Sequence, residues 1–181
     1  MRLILVLLLT VVISGCSKPD LTQYAENDPT FDIFEYFSGE TTGWGIVQNR
    51  SGELIRQFVV EIDGTVDEAG NLVLNEDFTW SDGEESVRVW TISRSGDGQY
   101  TGIAGDVVGE AVGRSSGNVL HWQYYLDIDV DGSTWKVHLD DWMYLHRDEV
   151  LINRSAMSKF GIHLGDITIT FSKQPRREGQ G

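Results

Sequence analysis

The stretch that decides the fold runs from Asn118 to Tyr144, NVLHWQYYLDIDV followed by DGS and TWKVHLDDWMY. Leu120, Trp122, Tyr124, Leu126, Ile128 and Val130 occupy every second position, and His121, Gln123, Asp127 and Asp129 fill most of the gaps. A period of two over this length specifies a strand with one dry face and one wet face, because successive Cβ atoms leave a strand on opposite sides. Asp131-Gly132 is the kind of pair that closes a tight hairpin, since glycine takes positive φ without a Cβ clash. The return strand repeats the rule with Trp135, Val137, Leu139 and Met143 on one face. The expectation is an all-β chain built from long antiparallel hairpins.

The same punctuation extends outward in both directions. Further turn signals fall at Ser51-Gly52, Gly70-Asn71, Asp82-Gly83, Asp97-Gly98, Gly117-Asn118, Arg147-Asp148 and Gly161. They separate strand-like runs at 43–48, 54–63, 72–80, 86–94, 100–104, 107–114, 120–130, 134–145, 150–154 and 166–171. This spacing reads as a sandwich or barrel and not as βαβ units. Pro19, Pro29 and Pro175 all lie outside these runs, as they should, because proline cannot donate to a central ladder. No fixed motif recurs at the spacing of a solenoid or propeller. A long series of consecutive hairpins leaves raw edges unless the sheet closes. The predicted architecture over 31–173 is therefore an antiparallel up-and-down barrel of about eight to ten strands. Phe31, Phe34, Tyr36 and Phe37 sit near helical spacing behind Asp28-Pro29-Thr30. They predict a turn or two of helix laid against one end of the barrel, ended by Ser38-Gly39.

Composition bounds the partners. A chain of 181 residues with 40% apolar content suits one domain with its own core. It carries 28 acidic against 14 basic residues, a net charge of −14. Such a surface repels nucleic acid and anionic lipid head groups, so neither is an expected electrostatic partner. Cys16 is the only cysteine, which excludes an intrachain disulfide.

The N-terminus reads as an address. Met1-Arg2 supplies positive charge, and Leu3 to Ile13 is apolar apart from Thr10, too short to span a bilayer as a mature helix. Ile13-Ser14-Gly15-Cys16 then resembles the bacterial lipobox. The resemblance implies a signal peptide over 1–15, and a membrane anchor formed by diacylglycerol on the Cys16 thiol and an acyl chain on its new amino group. Ser17, where an inner-membrane lipoprotein tends to carry Asp, implies the periplasmic face of a Gram-negative outer membrane. Residues 16–30 read as a polar, turn-rich tether and 174–181 as a disordered tail.

Thr42-Gly43-Trp44, behind the short aromatic helix, resembles the Gly-x-Trp opening of lipocalin and calycin barrels, here without the intervening residue. In those folds the tryptophan packs under the barrel floor and an arginine from the last strand lies across it, which implies a barrel-closing pair of Trp44 and Arg154. A closer resemblance covers nearly the whole mature chain. Gly43-Trp44-Gly45, Gly105-Asp106-Val107-Val108-Gly109, Asp140-Asp141-Trp142-Met143-Tyr144, Asn153-Arg154 and Met157-Ser158-Lys159-Phe160-Gly161 are similar to a family of bacterial lipoproteins, domain of unknown function 3833. That resemblance implies a lipid-anchored envelope protein with no assigned activity.

Few residues read as chemistry. Asp127-x-Asp129-x-Asp131-Gly132 resembles half a calcium loop, but its twelfth position is His138 where a bidentate Glu is needed, so the turn reading stands. His121, His138, His146 and His163 lack zinc spacing, although His121 and His138 are candidates to face each other across the hairpin. No nucleophile elbow, P-loop or cofactor fingerprint is present. Asp140 and Asp141 are adjacent and so point to opposite faces; the inward one needs a partner, for which Arg154, Lys159 and Arg88 are candidates. The aromatic set supplies the ligand-binding candidates Trp90, Trp122, Tyr124, Trp135 and Trp142, with ordinary core packing as the competing reading.

Three functions follow in order. The first is a lipocalin-like binder or carrier of a small apolar molecule, a lipid or fatty acid. The second is a structural or interaction lipoprotein with a filled barrel. The third is an enzyme acting on a lipid, with Asp140, Asp141, Arg154 or Lys159 as acid–base candidates. The reading leans away from the enzyme, and it calls for no metal and no cofactor.

Overall fold

The computed structural model describes residues 19–130 and 132–173. The signal segment, Cys16, Asp131 of the long hairpin and the tail 174–181 lie outside the described residues. Ten strands follow one another: β1 (Gly39–Asn49), β2 (Leu54–Val66), β3 (Leu72–Trp80), β4 (Glu85–Gly96), β5 (Gln99–Ile103), β6 (Ala111–Ser116), β7 (Val119–Val130), β8 (Ser133–Leu145), β9 (Val150–Lys159) and β10 (Ile162–Ser172). Each pairs antiparallel with its sequence neighbour, and β1 pairs with β10, so the sheet closes into an up-and-down barrel.

All ten expected runs are strands. The run expected from 107 begins only at Ala111, because Val107 makes an isolated bridge to Leu126. The loop before β6 is instead tied along β7, by the Val108 amide to the Tyr125 carbonyl at 2.8 Å and the Asp127 amide to the Asp106 carbonyl at 3.0 Å. It continues the wall where β5 and β6 are short. β9 and β10 run further than expected and meet in a tight turn at Phe160-Gly161, both with positive φ.

The floor is the predicted helix, α1 (Ile33–Phe37). It starts later than Asp28-Pro29 suggested, because Asp32 is the cap: its carboxylate accepts from the amides of Phe34 at 2.8 Å and Glu35 at 3.2 Å. Ile33, Phe34, Tyr36 and Phe37 are buried. Arg94, from β4, lies 4.2 Å over the Phe34 ring, and its two Nη atoms donate to the two Asp32 oxygens at 2.7 and 2.8 Å. One guanidinium thus ties helix to barrel by both stacking and a fork-to-fork pair. Burial works against the Asp32 charge, but Arg94 and the two amides outweigh it and hold the carboxyl below its usual range.

The expected closing pair, Trp44 and Arg154, is corrected. Trp44 is 40% exposed on the outer wall. Its neighbours explain why: Gly43 and Gly45 face inward, where a Cβ on Gly45 would lie 2.1 Å from Phe58 Cζ and one on Gly43 would lie 2.7 Å from Phe171 Cδ1. The inner face of β1 is left bare so that the Phe58 and Phe171 rings can lie against it, and strand alternation then sends Trp44 out. Arg154 is likewise exposed on β9, paired with Thr168. The second half of the expected tether also differs. Residues 21–24 form a 3₁₀ turn whose Tyr24 ring rests against Trp142 and Tyr144 on the outer wall, at 6.4 and 6.1 Å between centroids.

These placements predict opposite sensitivities for adjacent residues. Gly45→Ala overpacks the Phe58 contact and should cost about 1–3 kcal/mol in urea unfolding. Trp44→Ala should cost less than about 1 kcal/mol. A larger loss for Trp44→Ala would restore it as a core residue.

Candidate ligand-binding cavity

Inward-facing positions of the ten strands do not fill the barrel. They enclose a cavity of about 700 Å³, floored by Ile33 and Phe37 and walled by Phe58, Phe78, Trp90, Trp122, Leu126, Ile167 and Ile169, among others. The deep wall is aromatic. The Trp90 ring meets Trp122 at 5.8 Å and Tyr124 at 5.4 Å, both near perpendicular, the edge-to-face geometry that aromatic quadrupoles favour. Trp122 has room because β5 and β6 offer Gly102 and Gly113, where a Cβ would come within 2.8 and 2.1 Å of its ring.

Two clusters of interacting polar side chains stand out in this largely apolar lining. Glu76 on β3 and Arg88 on β4 are direct cross-strand partners. Arg88 Nε lies 3.1 and 3.0 Å from the two Asp106 oxygens, its Nη2 2.6 Å from Oδ2, and its Nη1 3.9 Å from Glu76 Oε2. Burial disfavours the guanidinium charge, but Glu76, Tyr124 and Asp106 outweigh it and raise its proton affinity. Burial pushes the Glu76 carboxyl up to about 7 against the pull of Arg88. The second group belongs to β7, β8 and β9. Asp141 is buried, and its carboxylate accepts a short hydrogen bond from the Ser155 hydroxyl and a long one, 3.4 Å, from the Tyr124 hydroxyl. Burial pushes Asp141 up to about 7, with Ser155, Asn153 and Tyr124 opposing through hydrogen bonds. Tyr124 is raised well above its ordinary value by its own burial and by Asp141. Asn153 Oδ1 is buried without a partner.

Of the ligand candidates, Trp90, Trp122 and Tyr124 are brought together in the chamber. Trp135 shares the inward register of Val137 and Leu139 but sits at the rim, under Lys159 Nζ at 3.7 Å. Trp142 is corrected: it lies on the outer wall, stacked on His121 at 4.2 Å, and His121 Nε2 in turn lies 2.6 Å from Asp140. His121 therefore opposes Trp142 while His138 opposes Tyr125, so the two histidines do not face each other. Asp141 is the inward member of its pair. Its partners are Ser155, Tyr124 and Asn153 in place of the basic residues expected. Asp129 accepts from the Gly132 amide at 3.0 Å, as a turn residue does. Among the described residues no group of three His, Cys, Asp or Glu side chains is placed to hold a metal ion.

Glu76, Asp106, Asn153 and Ser155 escaped the sequence reading. The signal was there for three of them. Leu72, Leu74, Glu76, Phe78 and Trp80 alternate on one face, as do Leu151, Asn153, Ser155 and Met157. A polar residue inside an apolar alternation marks a side chain aimed into the interior. Asp106 left no such mark, because it reaches Arg88 from a loop.

The model of a family described as protein of unknown function, DUF3833, matches residues 10–173. No curated protein matches the chain. Among solved structures, an S-type phycobiliprotein lyase, CPES, from Guillardia theta is similar with a TM-score of 0.58 at 10% identity, over 88% of this chain and 100% of that one. At that identity the likeness speaks for a lipocalin-like barrel and for nothing chemical.

Asp141 sets a pH dependence. Between about pH 4 and about 7 the folded chain keeps a proton on Asp141 that the unfolded chain, with an ordinary carboxyl, has released. Linkage then makes stability fall as pH rises through that window and level off above it. Asp141→Asn removes this loss while Glu76 titrates alike in both proteins. The variant should gain on its parent by about 2 kcal/mol between about pH 5 and about pH 8, read from urea midpoints. An unchanged gap would mean Asp141 is ionised in the fold.

Proposed function

We propose that this chain, which belongs to the DUF3833 family of proteins of unknown function, is a lipocalin-like binder or carrier of a small, largely apolar molecule. The observation that carries this reading is the hollow interior. A closed barrel with a sealed aromatic floor keeps a chamber of about 700 Å³, inside the range of about 300–1,000 Å³ typical of ligand pockets. A protein selected only for rigidity gains by filling such a space, because each unfilled region of a core forfeits packing energy. The chamber instead combines predominantly apolar walls with a few converging polar groups, the combination that admits a hydrocarbon body and orients one polar end.

The address supports a lipid-derived ligand. Acylation of Cys16 would hold the barrel at the periplasmic face of the outer membrane, beside a reservoir of amphiphiles. Native mass spectrometry of the protein purified from its own host should show a co-purifying molecule of low mass. Met157→Trp, which fills the upper chamber, should abolish that extra mass and leave the melting temperature within a few degrees of the parent. A protein that arrives empty in both forms would remove the carrier reading.

A further inference from the structure

We propose that the buried end of the ligand is a hydrogen-bond donor, neutral or cationic, such as a hydroxyl, an amide N–H or an amine, and that the chamber discriminates against a free carboxylate. The proposal rests on the binder reading and narrows it.

Apart from Asp127 and Asp129, whose side chains alternate outward from β7, the lining holds four carboxyl side chains, Glu76, Glu84, Asp106 and Asp141, against two guanidinium groups, Arg56 and Arg88. Arg88 is not available to an anion. Arg88 is engaged by both oxygens of Asp106 and flanked by Glu76. Arg56 lies over Trp80 at 4.1 Å with Nη2 held by Asp82 at 2.7 Å and Glu84 at 2.9 Å, and its buried Nε has no partner; it offers an anion one N–H, but its charge is already met by two carboxylates. A carboxylate entering beside Arg88 would have to displace Asp106 or Glu76. A like-charged cleft lowers the local concentration of an anion and raises that of a cation.

Beside Asp141 the unmet requirement is for a donor. Asn153 projects from the inward face of β9 and is 3% exposed. Its side-chain amide neighbours Asp141 and helps to hold that carboxyl down. Its Oδ1 is left buried with no partner. A buried acceptor without a donor bears its full desolvation cost, and a ligand donor placed against it relieves that cost. The Asp141 carboxyl lies beside it and adds a second acceptor, since its Tyr124 contact is long, 3.4 Å. A hydroxyl or amine meets both oxygens favourably, whereas a carboxylate adds a third acceptor to the pair.

The test uses three amphiphiles of equal chain length, dodecanol, dodecylamine and dodecanoate, each below its micelle threshold. They are titrated into the purified protein in detergent-free buffer at about pH 8, following the fluorescence of the chamber tryptophans. Dodecanol and dodecylamine should each bind at least about tenfold more tightly than dodecanoate. Asn153→Leu should cut that preference to less than about threefold by weakening the donors while leaving dodecanoate unchanged or tighter. Should that variant not fold, the ranking in the parent protein decides alone. Dodecanoate binding as tightly as the alcohol would overturn this proposal and leave the binder reading standing. Binding of none of the three would overturn both.

Discussion

The hydrogen-bonded seam between β1 and β10 is the constraint on which the interior rests. Thr42 to Asn49 runs against Gly165 to Ser172 without a gap in register. This seam turns a ten-strand meander into a vessel and removes both raw edges. Its inner side is built to be thin. Gly43 and Gly45 give the Phe58 and Phe171 rings space to lie against the backbone. Gly165 passes so close to the Gln48 carbonyl that a Cβ would sit 2.1 Å from it. Closure and floor then act together. Arg94 fixes α1 beneath the barrel through Phe34 and Asp32, and Phe37 meets Phe171 at 5.5 Å across the base of the seam. With one end sealed and the wall unbroken, the remaining volume becomes a chamber open at the far end.

Much of this was legible because strand alternation is a short-range signal. The period of two in residues 120–145 gave the dry face of β7 and β8 correctly, down to Trp122, Tyr124, Val137 and Leu139. The turns were legible for the same local reason. The Gly-x-Trp resemblance misplaces Trp44, because it runs against the alternation of that residue's own neighbours. Two inward glycines flanking a tryptophan already require the tryptophan to face out. Trp142 follows the same rule: Val137, Leu139 and Met143 share one face of β8, so alternation alone sends Trp142 to the other, although both Trp142 and Met143 are apolar.

The polar groups of the chamber were the least legible part. Glu76 and Arg88 are 12 residues apart in sequence and meet because a hairpin register sets them opposite each other. Asp141, Ser155 and Tyr124 come from three strands, and Asp106 from a loop. No spacing rule finds such a set. Its chemistry is also set by the fold: burial, which pushes Asp141 and Glu76 up to about 7, exists only once the barrel has closed. The result is a largely apolar vessel in which Arg88 is already paired and the Asn153 oxygen beside Asp141 is left to accept a hydrogen bond. A chamber of this kind can hold and orient an amphiphile.

The account stands or falls on whether a molecule enters the barrel. The most direct measurement is a crystal structure of the protein grown with bromododecanol, with the bromine located by its anomalous scattering. The account predicts a peak inside the chamber, within the ring of Trp90, Trp122, Tyr124 and Phe58, and continuous density for the hydrocarbon. Bromine found only on the outer wall, around side chains that fill the barrel from floor to rim, would contradict it.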